Sequence, residues 1–334
     1  MYENLFHQQP LENLSFLVTG GGGFIGSNLV EYLLKYHVGK VRVLDNFSNG
    51  FLKNIQPYQN DPRFELIEGD IREAEICQQA CAGMDIVLHQ AALGSVPRSI
   101  KDPITTNEVN ISGFVNMLTA AKDQQVKRFV YAASSSTYGD SKALPKVEEN
   151  IGRPLSPYAV TKYANELYAD VFGKTYGMEI IGLRYFNIFG PRQDPNGAYA
   201  AVIPLFIEAV LKNKPPHMNG NGNQTRDFTF VENCVEANIR AALVQHPEAL
   251  NQVYNIAVGD RTSLNDLFKI LKEEGQSDLS PLYGPERAGD IRDSLADITK
   301  ARTLLGYDPK IKIKEGLQIT LDWFRNNQDF IYNS

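Results

Sequence analysis

Short apolar runs alternate with amphipathic stretches through the first half of the chain. Ser15–Thr19, Lys40–Asp45, Phe64–Glu68, Ile86–His89, Arg128–Ala132 and Glu179–Arg184 are brief, apolar and read as strands. Helical spacing of apolar residues falls between them, near Ile25–Tyr36, Glu73–Cys81, Thr106–Lys122 and Tyr158–Tyr176. That succession predicts an α/β fold built on a doubly wound parallel sheet. Past Arg184 the pattern loosens: Pro191, Pro195, Pro204, Pro215 and Pro216 punctuate it, and Gly220-Asn221-Gly222-Asn223 marks a tight turn. Asp227–Val231 and Val253–Ile256 still read as strands that return to the main sheet. The expected organisation is therefore a sheet domain over residues 1–185 with return segments near 226–258, and a smaller, discontinuous α/β lobe made mainly of residues 186–334.

Composition narrows the class. With 334 residues, 43% apolar and 22% charged, the chain has the make-up of an ordinary globular protein with a sizeable core. Acidic residues outnumber basic ones, 39 to 33, and no Lys/Arg block appears, so no nucleic-acid partner is expected. An anionic ligand has to be met by locally placed cations. The three cysteines are too few to staple a chain of this length, which points to a reducing, cytoplasmic setting. Cys77 and Cys81 lie one helical turn apart, but no His or Cys cluster accompanies them, so buried inert thiols are expected and no metal. Met1–Asn13 has no apolar signal core, and no run of about 18 apolar residues exists to span a membrane.

Two motifs carry chemistry. The first strand runs into Gly20-Gly21-Gly22-Gly23-Phe24-Ile25-Gly26, with glycines at 20, 23 and 26 before a helix. Glycine there permits the tight turn and lets backbone approach a pyrophosphate at a helix N-terminus. Asp45 ends the second strand, where a carboxylate accepts from both hydroxyls of an adenosine ribose and repels a 2′-phosphate. NAD is therefore favoured over NADP, on a Rossmann sheet. Asp70 and Ile71 follow the third strand as an adenine contact, and Gln90, Ala91 and Ala92 follow the fourth, where the cofactor has to lie close.

The second motif is Tyr158-Ala159-Val160-Thr161-Lys162, whose ends share one helical face. A phenol ordinarily titrates at about 10, and an adjacent ammonium together with a nicotinamide cation favours phenolate. Tyr158 would then serve as general base toward a substrate hydroxyl, and as acid in reverse. Ser134-Ser135-Ser136-Thr137-Tyr138-Gly139 directly follows the fifth strand, at the end of the sheet where such folds bind ligands. Ser134 is the preferred hydroxyl for the reacting oxygen, and Ser136 the next.

With these motifs in this order, from about Leu14 to Asp308, the chain resembles the extended short-chain dehydrogenase/reductases. Arg184-Tyr185-Phe186-Asn187 strengthens the likeness, which is closest to the bacterial UDP-N-acetylglucosamine 4-epimerases among the nucleotide-sugar 4-epimerases. The resemblance implies a tightly held NAD that takes a hydride from C4 of a UDP-sugar while the tyrosine takes the hydroxyl proton. The 4-keto sugar then turns and receives the hydride on its other face. It also implies a cofactor set that adds Phe24, Ile25, Asn46, Ser48, Gly50, Asn110 and Tyr185 to the residues above.

On the substrate side, Arg226 and Arg287 match the family's diphosphate-binding arginines, a role that suits guanidinium. Asn187 matches a diphosphate contact, Asp290 lies in the same stretch as Arg287, and Ala201, Val202, Phe206, His217 and Asn219 match the uridine edge. Ser95 and Arg98, in Leu93–Ser99, reach the sugar side together with Ser134, Ser135 and Ser136. Ser294 stands where bacterial galactose epimerases that reject N-acetyl sugars carry tyrosine. A serine leaves volume for a 2-acetamido group, and a forced overlap there costs about 1–3 kcal/mol. UDP-GlcNAc and UDP-GalNAc are the expected pair, with UDP-hexuronic acids or UDP-glucose as alternatives.

Dehydratases of this family place an acidic pair at the position of Ser135-Ser136, and decarboxylases a glutamate nearby; neither is present. Non-enzymatic dinucleotide-binding relatives generally lose the tyrosine or lysine that this chain keeps. Many relatives form homodimers through a four-helix bundle, for which Thr106–Lys122, with Phe114, Val115, Met117 and Leu118, and Tyr158–Tyr176 are the candidates. Those apolar residues equally suit packing on the subunit's own sheet.

Overall fold

The structure, a computed structural model, describes residues 1–197, 200–285 and 293–332. Its strands are β1 (Ser15–Thr19), β2 (Lys40–Asp45), β3 (Phe64–Glu68), β4 (Ile86–His89), β5 (Arg128–Ser134) and β6 (Glu179–Tyr185). Shorter ones follow: β7 (Ile188–Phe189), β8 (His217–Asn219), β9 (Thr225–Arg226), β10 (Thr229–Phe230), β11 (Gln252–Ile256), β12 (Thr262–Ser263) and β13 (Leu282–Gly284). The helices are α1 (Phe24–Lys35), α2 (Ala74–Cys81), α3 (Val96–Lys101), α4 (Pro103–Asn107), α5 (Phe114–Asp123), α6 (Pro157–Tyr176), α7 (Val202–Leu211), α8 (Val231–Leu243), α9 (Leu264–Glu274), α10 (Thr299–Leu305) and α11 (Ile313–Asn326).

One parallel sheet runs in the order β11-β6-β5-β4-β1-β2-β3. Period-two alternation assigns its side chains to two layers. Phe16, Val18, Val43, Leu88 and Val130 face the core that holds Leu29 and Leu33 of α1 and Val235 and Ile239 of α8. Leu17, Leu44, Val87, Phe129 and Tyr131 face the opposite core, filled by Cys77, Phe114, Met117 and Leu118. Sandwiched this way, strands need no polar alternation, which is why they read as plain apolar runs. A third core gathers Phe189, Phe206, Phe228, Phe230, Phe268 and Leu317. Burial of side chains this large stabilises by about 1.5–3 kcal/mol each.

The sheet reverses direction of winding between β1 and β4, so a crevice opens at their carboxyl ends. Several boundaries and pairings differ from the sequence reading. β5 and β6 each run further, to Ser134 and Tyr185, carrying those residues to the crevice on regular backbone. The helix expected over Thr106–Lys122 begins at Pro103, where the Asp102 carboxylate accepts the amide of Thr105 (3.1 Å), and it is interrupted by a π-helical turn over Glu108–Gly113.

β11 does join the main sheet beside β6. Asp227–Val231 does not: Thr229–Phe230 pairs with β7, and Val231 opens α8. Asp227 is drawn away by three backbone amides that its carboxylate accepts. Cys77 and Cys81 are buried, and burial pushes both thiols up to about 12. No cluster of three metal-ligating side chains, and no helix long and apolar enough to cross a membrane, occurs among the described residues.

Candidate active site

A cavity of about 580 Å³ occupies the crevice. Its walls bring together the glycine turn, the ends of β2, β4 and β5, the start of α6, Tyr185 at the end of β6 and Asn187 just after it. The turn is built for close approach. Gly20 has φ +68°, and a Cβ on it would sit 2.8 Å from the amide nitrogen of Ala91. A Cβ on Gly26 would stand 2.1 Å from the Gly20 carbonyl oxygen. α1 starts at Gly23 with no side-chain cap and no acidic residue in its first turn, and Phe24, Ile25 and Gly26 line the cavity. An uncapped helix N-terminus facing open space is a seat for an anion.

Asp45 closes this end. Its Oδ2 accepts the Gly22 amide and its Oδ1 the Phe47 amide, both at 2.8 Å. Burial pushes its carboxyl above the ordinary range, and the two amides oppose that shift. The carboxylate is thus held in place on the cavity wall, each oxygen retaining acceptor capacity. Asn46, Ser48, Gly50, Asp70, Ile71, Gln90, Ala91 and Ala92 also border the space. Asp70 accepts from Asn46 Nδ2 (2.8 Å) and pairs with Arg72, which holds its carboxyl below the usual range. Cradle, anion seat and fixed carboxylate fit a dinucleotide extended across the sheet.

Tyr158 and Lys162 line the other end with Ser134 and Ser135. Burial pushes the Tyr158 phenol up, and the neighbouring Ser134 hydroxyl opposes that shift. Ser136 serves Ser134: its amide (3.1 Å) and hydroxyl (2.9 Å) both donate to Ser134 Oγ. Of the two serines ranked from sequence, the first therefore contacts the tyrosine and the second orients it. Tyr158 lies in the first turn of α6, where the helix dipole also favours an anion. Lys162 is buried and donates to the Ala132 carbonyl (2.8 Å). Burial lowers its ammonium to about 8.

Asn110 lies behind the cavity wall, not on it. It sits in the π-turn, 2% exposed, and its side chain accepts the Leu93 amide (2.8 Å) while donating to the Leu93 carbonyl and to Thr161 Oγ1. Asn165 Nδ2 donates to the Asn110 carbonyl at 2.7 Å. The residue expected at the cofactor thus fastens α6 to the loop after β4.

Three residues expected on the substrate side, Asn187, Arg226 and Ser294, lie around Asp227. Asn187, with φ +40°, lines the cavity and donates to the Asp227 carbonyl (2.9 Å). Arg226 precedes it on β9, which pairs with β12. The Ser294 amide donates to the Thr225 carbonyl (3.1 Å), and Thr225 Oγ1 donates to Asp293 (2.6 Å). Ser294 and Arg226 are thereby neighbours, although distant in sequence.

Ser95 caps α3 through the Arg98 amide (3.2 Å), and Arg98 Nη1 donates to Asn49 Oδ1 (2.7 Å), on the cofactor side of the cavity. Ala201 precedes α7 and Val202 opens it, while His217 and Asn219 are exposed on β8. Phe206 departs from its expected place at the uridine edge: it is 1% exposed and packs edge-on against Phe268 (5.3 Å), so its ring belongs to the third core. Arg287 and Asp290 lie outside the described residues. Asp227, Asn165 and Ser99 were not singled out from sequence, where a buried Asp or Ser looks like any surface one.

The sequence model of the NAD dependent epimerase/dehydratase family matches residues 16–257, and the chain belongs to that family. A UDP-glucose 4-epimerase of Mycolicibacterium smegmatis is 36% identical over 312 residues, 93% of this chain and 98% of the relative. A solved UDP-N-acetylglucosamine 4-epimerase of Methanobrevibacter ruminantium M1, in complex with UDP-N-acetylmuramic acid, is 38% identical with a TM-score of 0.89, over 94% of this chain and 99% of that one. A UDP-glucuronic acid 4-epimerase of Bacillus cereus, solved with UDP-glucuronic acid and NAD, is 31% identical with a TM-score of 0.86, over 94% and 100%. The chain described here is an NAD-dependent UDP-sugar 4-epimerase.

Proposed function

We propose that the enzyme interconverts UDP-GlcNAc and UDP-GalNAc. The observation behind this reading is Ser294, a small residue tied by its amide to the Thr225 carbonyl beside Arg226, at the position where the resemblance puts a tyrosine in epimerases that reject N-acetyl sugars. The UDP-N-acetylglucosamine 4-epimerase relative supports it. A UDP-hexuronic acid is the second reading, favoured by the cation of Arg98 near the cavity mouth and by the UDP-glucuronic acid relative.

In the proposed reaction Tyr158 removes the proton of the sugar 4-hydroxyl, with Ser134 donating to the oxygen and Lys162 supplying positive charge one turn along. When bound, NAD would supply the hydride acceptor and donor for the chemistry at C4. Asp45 and the first turn of α1 orient the dinucleotide, while Arg226 and Asn187 hold the diphosphate so that the 4-keto sugar can turn. Residues 1–185, with β11 returned to the sheet, form the cofactor domain in this reading, and the rest of 186–334 the sugar lobe, in a cytoplasmic enzyme. Incubating the purified protein with UDP-hexoses, UDP-N-acetylhexosamines and UDP-uronic acids without added NAD, then identifying products by NMR, tests the reading. Preferred turnover of a uronic acid or of UDP-glucose would overturn the substrate.

A homodimer is part of the same proposal, with a change of surface. Phe114, Met117 and Leu118 are buried against the subunit's own sheet and are not available to a partner. Instead Val160, Leu167 and Val171 on α6, with Ile100 and Ile104 beside it, are all more than half exposed and favour a helical interface. Light scattering should give twice the chain mass, and Leu167→Glu should halve it.

A further inference from the structure

The helix that carries the catalytic pair has a donor that its own sequence leaves unmet. At the start of α6, Ser156 Oγ accepts the Ala159 amide (3.2 Å), the Ser156 carbonyl accepts the Val160 amide (3.0 Å), and Pro157 has no amide to place. The Tyr158 amide remains, and it donates to Ser99 Oγ at 3.0 Å. Ser99 is 0% exposed and belongs to α3, and its hydroxyl proton goes to the Val96 carbonyl (2.7 Å). α3 is itself anchored: Ser95 caps it, and Arg98 reaches Asn49 across the cavity mouth. One short helix therefore joins the loop beside the cofactor cradle to the backbone of the catalytic tyrosine.

We propose that Ser99 is a positioning residue for proton transfer, holding the Tyr158 backbone so that the phenol meets Ser134. A tyrosine oxygen lies at the end of a long side chain, so a small tilt of the first helical turn moves it much further than the backbone itself. Nothing else in the first turn of α6 ties it to α3 by a hydrogen bond among the described residues. The Arg98 end of α3 reaches the cofactor side, so Ser99 sets the tyrosine relative to the cradle as well as to Ser134.

The test uses the NAD-bound enzyme and whichever UDP-sugar the wild type converts fastest, so that its outcome is independent of the N-acetyl reading. Ser99→Ala is expected to lower kcat per bound NAD about tenfold, the scale of a displacement below 1 Å. KM and NAD content should stay within about twofold, since the groups that bind are untouched. The acidic limb of the kcat–pH profile should move to higher pH, because a weaker Ser134 bond raises the phenol. Ser99→Thr keeps the acceptor and should restore rate and profile. Ser99→Cys, close in volume but a weak acceptor, should behave as the Ala variant does and covers the case in which that variant does not fold. Unchanged kcat and profile in the Ala or Cys variant, equal loss in the Thr variant, a loss in KM alone, or failure of both the Ala and Cys variants to fold would each overturn the proposal.

Discussion

The carboxylate of Asp227 accepts the amide of Ala296 at 3.2 Å, and with that bond the strand of Arg226 and the turn of Ser294 are held as one unit. The same carboxylate accepts the amides of Val258 and Gly259 (3.0 and 3.1 Å) just past β11. A single buried side chain thus joins the sheet edge to both proposed sugar-side elements. Asp227→Asn replaces one acceptor oxygen by a donor and should cost about 1–3 kcal/mol of stability, the penalty for an unmet buried donor. KM for the UDP-sugar should rise while NAD content holds. Denaturant titration and KM measurement check this, and an unchanged KM would contradict it.

Asp227 also predicts a pH dependence. Burial pushes its carboxyl up to about 6, against about 3.9 in an unfolded chain. The folded state therefore holds the extra proton between those values, and the stability contributed by this residue falls as pH rises from about 4 through about 6. The difference in unfolding free energy, wild type minus Asp227→Asn, should shrink across that window. A constant difference would refute the assignment.

Tyr158→Phe keeps the ring and the amide bond to Ser99 while removing the phenol oxygen. Turnover should drop by a factor of about 10² or more, with fold and NAD content retained. Stopped assays by NMR, with circular dichroism as the structural control, decide it; near-normal kcat would remove Tyr158 from the chemistry.

Ser294→Tyr should harm N-acetylated substrates selectively. A discrimination of roughly 10–200-fold is the range expected when a pocket is changed by a small group. Competition between UDP-glucose and UDP-GlcNAc measures it, and equal loss on both would defeat the proposed gate.

Gly20→Ala places a Cβ against the Ala91 backbone on a residue with positive φ, where L side chains are strained. Loss of NAD from the purified protein is expected, together with a lower melting temperature. Full NAD content, read from the absorbance spectrum after denaturation, would show that the turn tolerates the side chain.

The sheet was legible because its inner strands are buried on both faces: β1, β2 and β4 begin and end where their apolar runs do, and so does β3 at the half-buried edge. The glycine turn, Asp45, Ser134, Tyr158 and Lys162 were legible too, since each stands at a strand end or helix start that the pattern fixes. Contacts between distant segments were not. Phe206 looked like a ligand-facing aromatic because sequence does not tell which side of α7 the third core covers. Asp227 read as part of a returning strand because three amides from residues 258, 259 and 296 are invisible in its own neighbourhood. Asn110 was expected at the cofactor because sequence does not show that its side chain is spent on Leu93 and Thr161.

The π-turn at Glu108–Gly113 has a consequence for heredity. Successive side chains on an α-helix are offset by about 100°, so one surplus residue re-phases everything beyond it. The half that begins with the turn presents Asn110 to Leu93 and Thr161, and the half beyond it presents Phe114, Met117 and Leu118 to the sheet. A one-residue deletion here would yield a more regular helix and a worse enzyme, because only one of the two halves could keep its address. Length through this segment is therefore as constrained as any side chain in it, and a gene losing a single codon there should lose function while keeping most of its secondary structure.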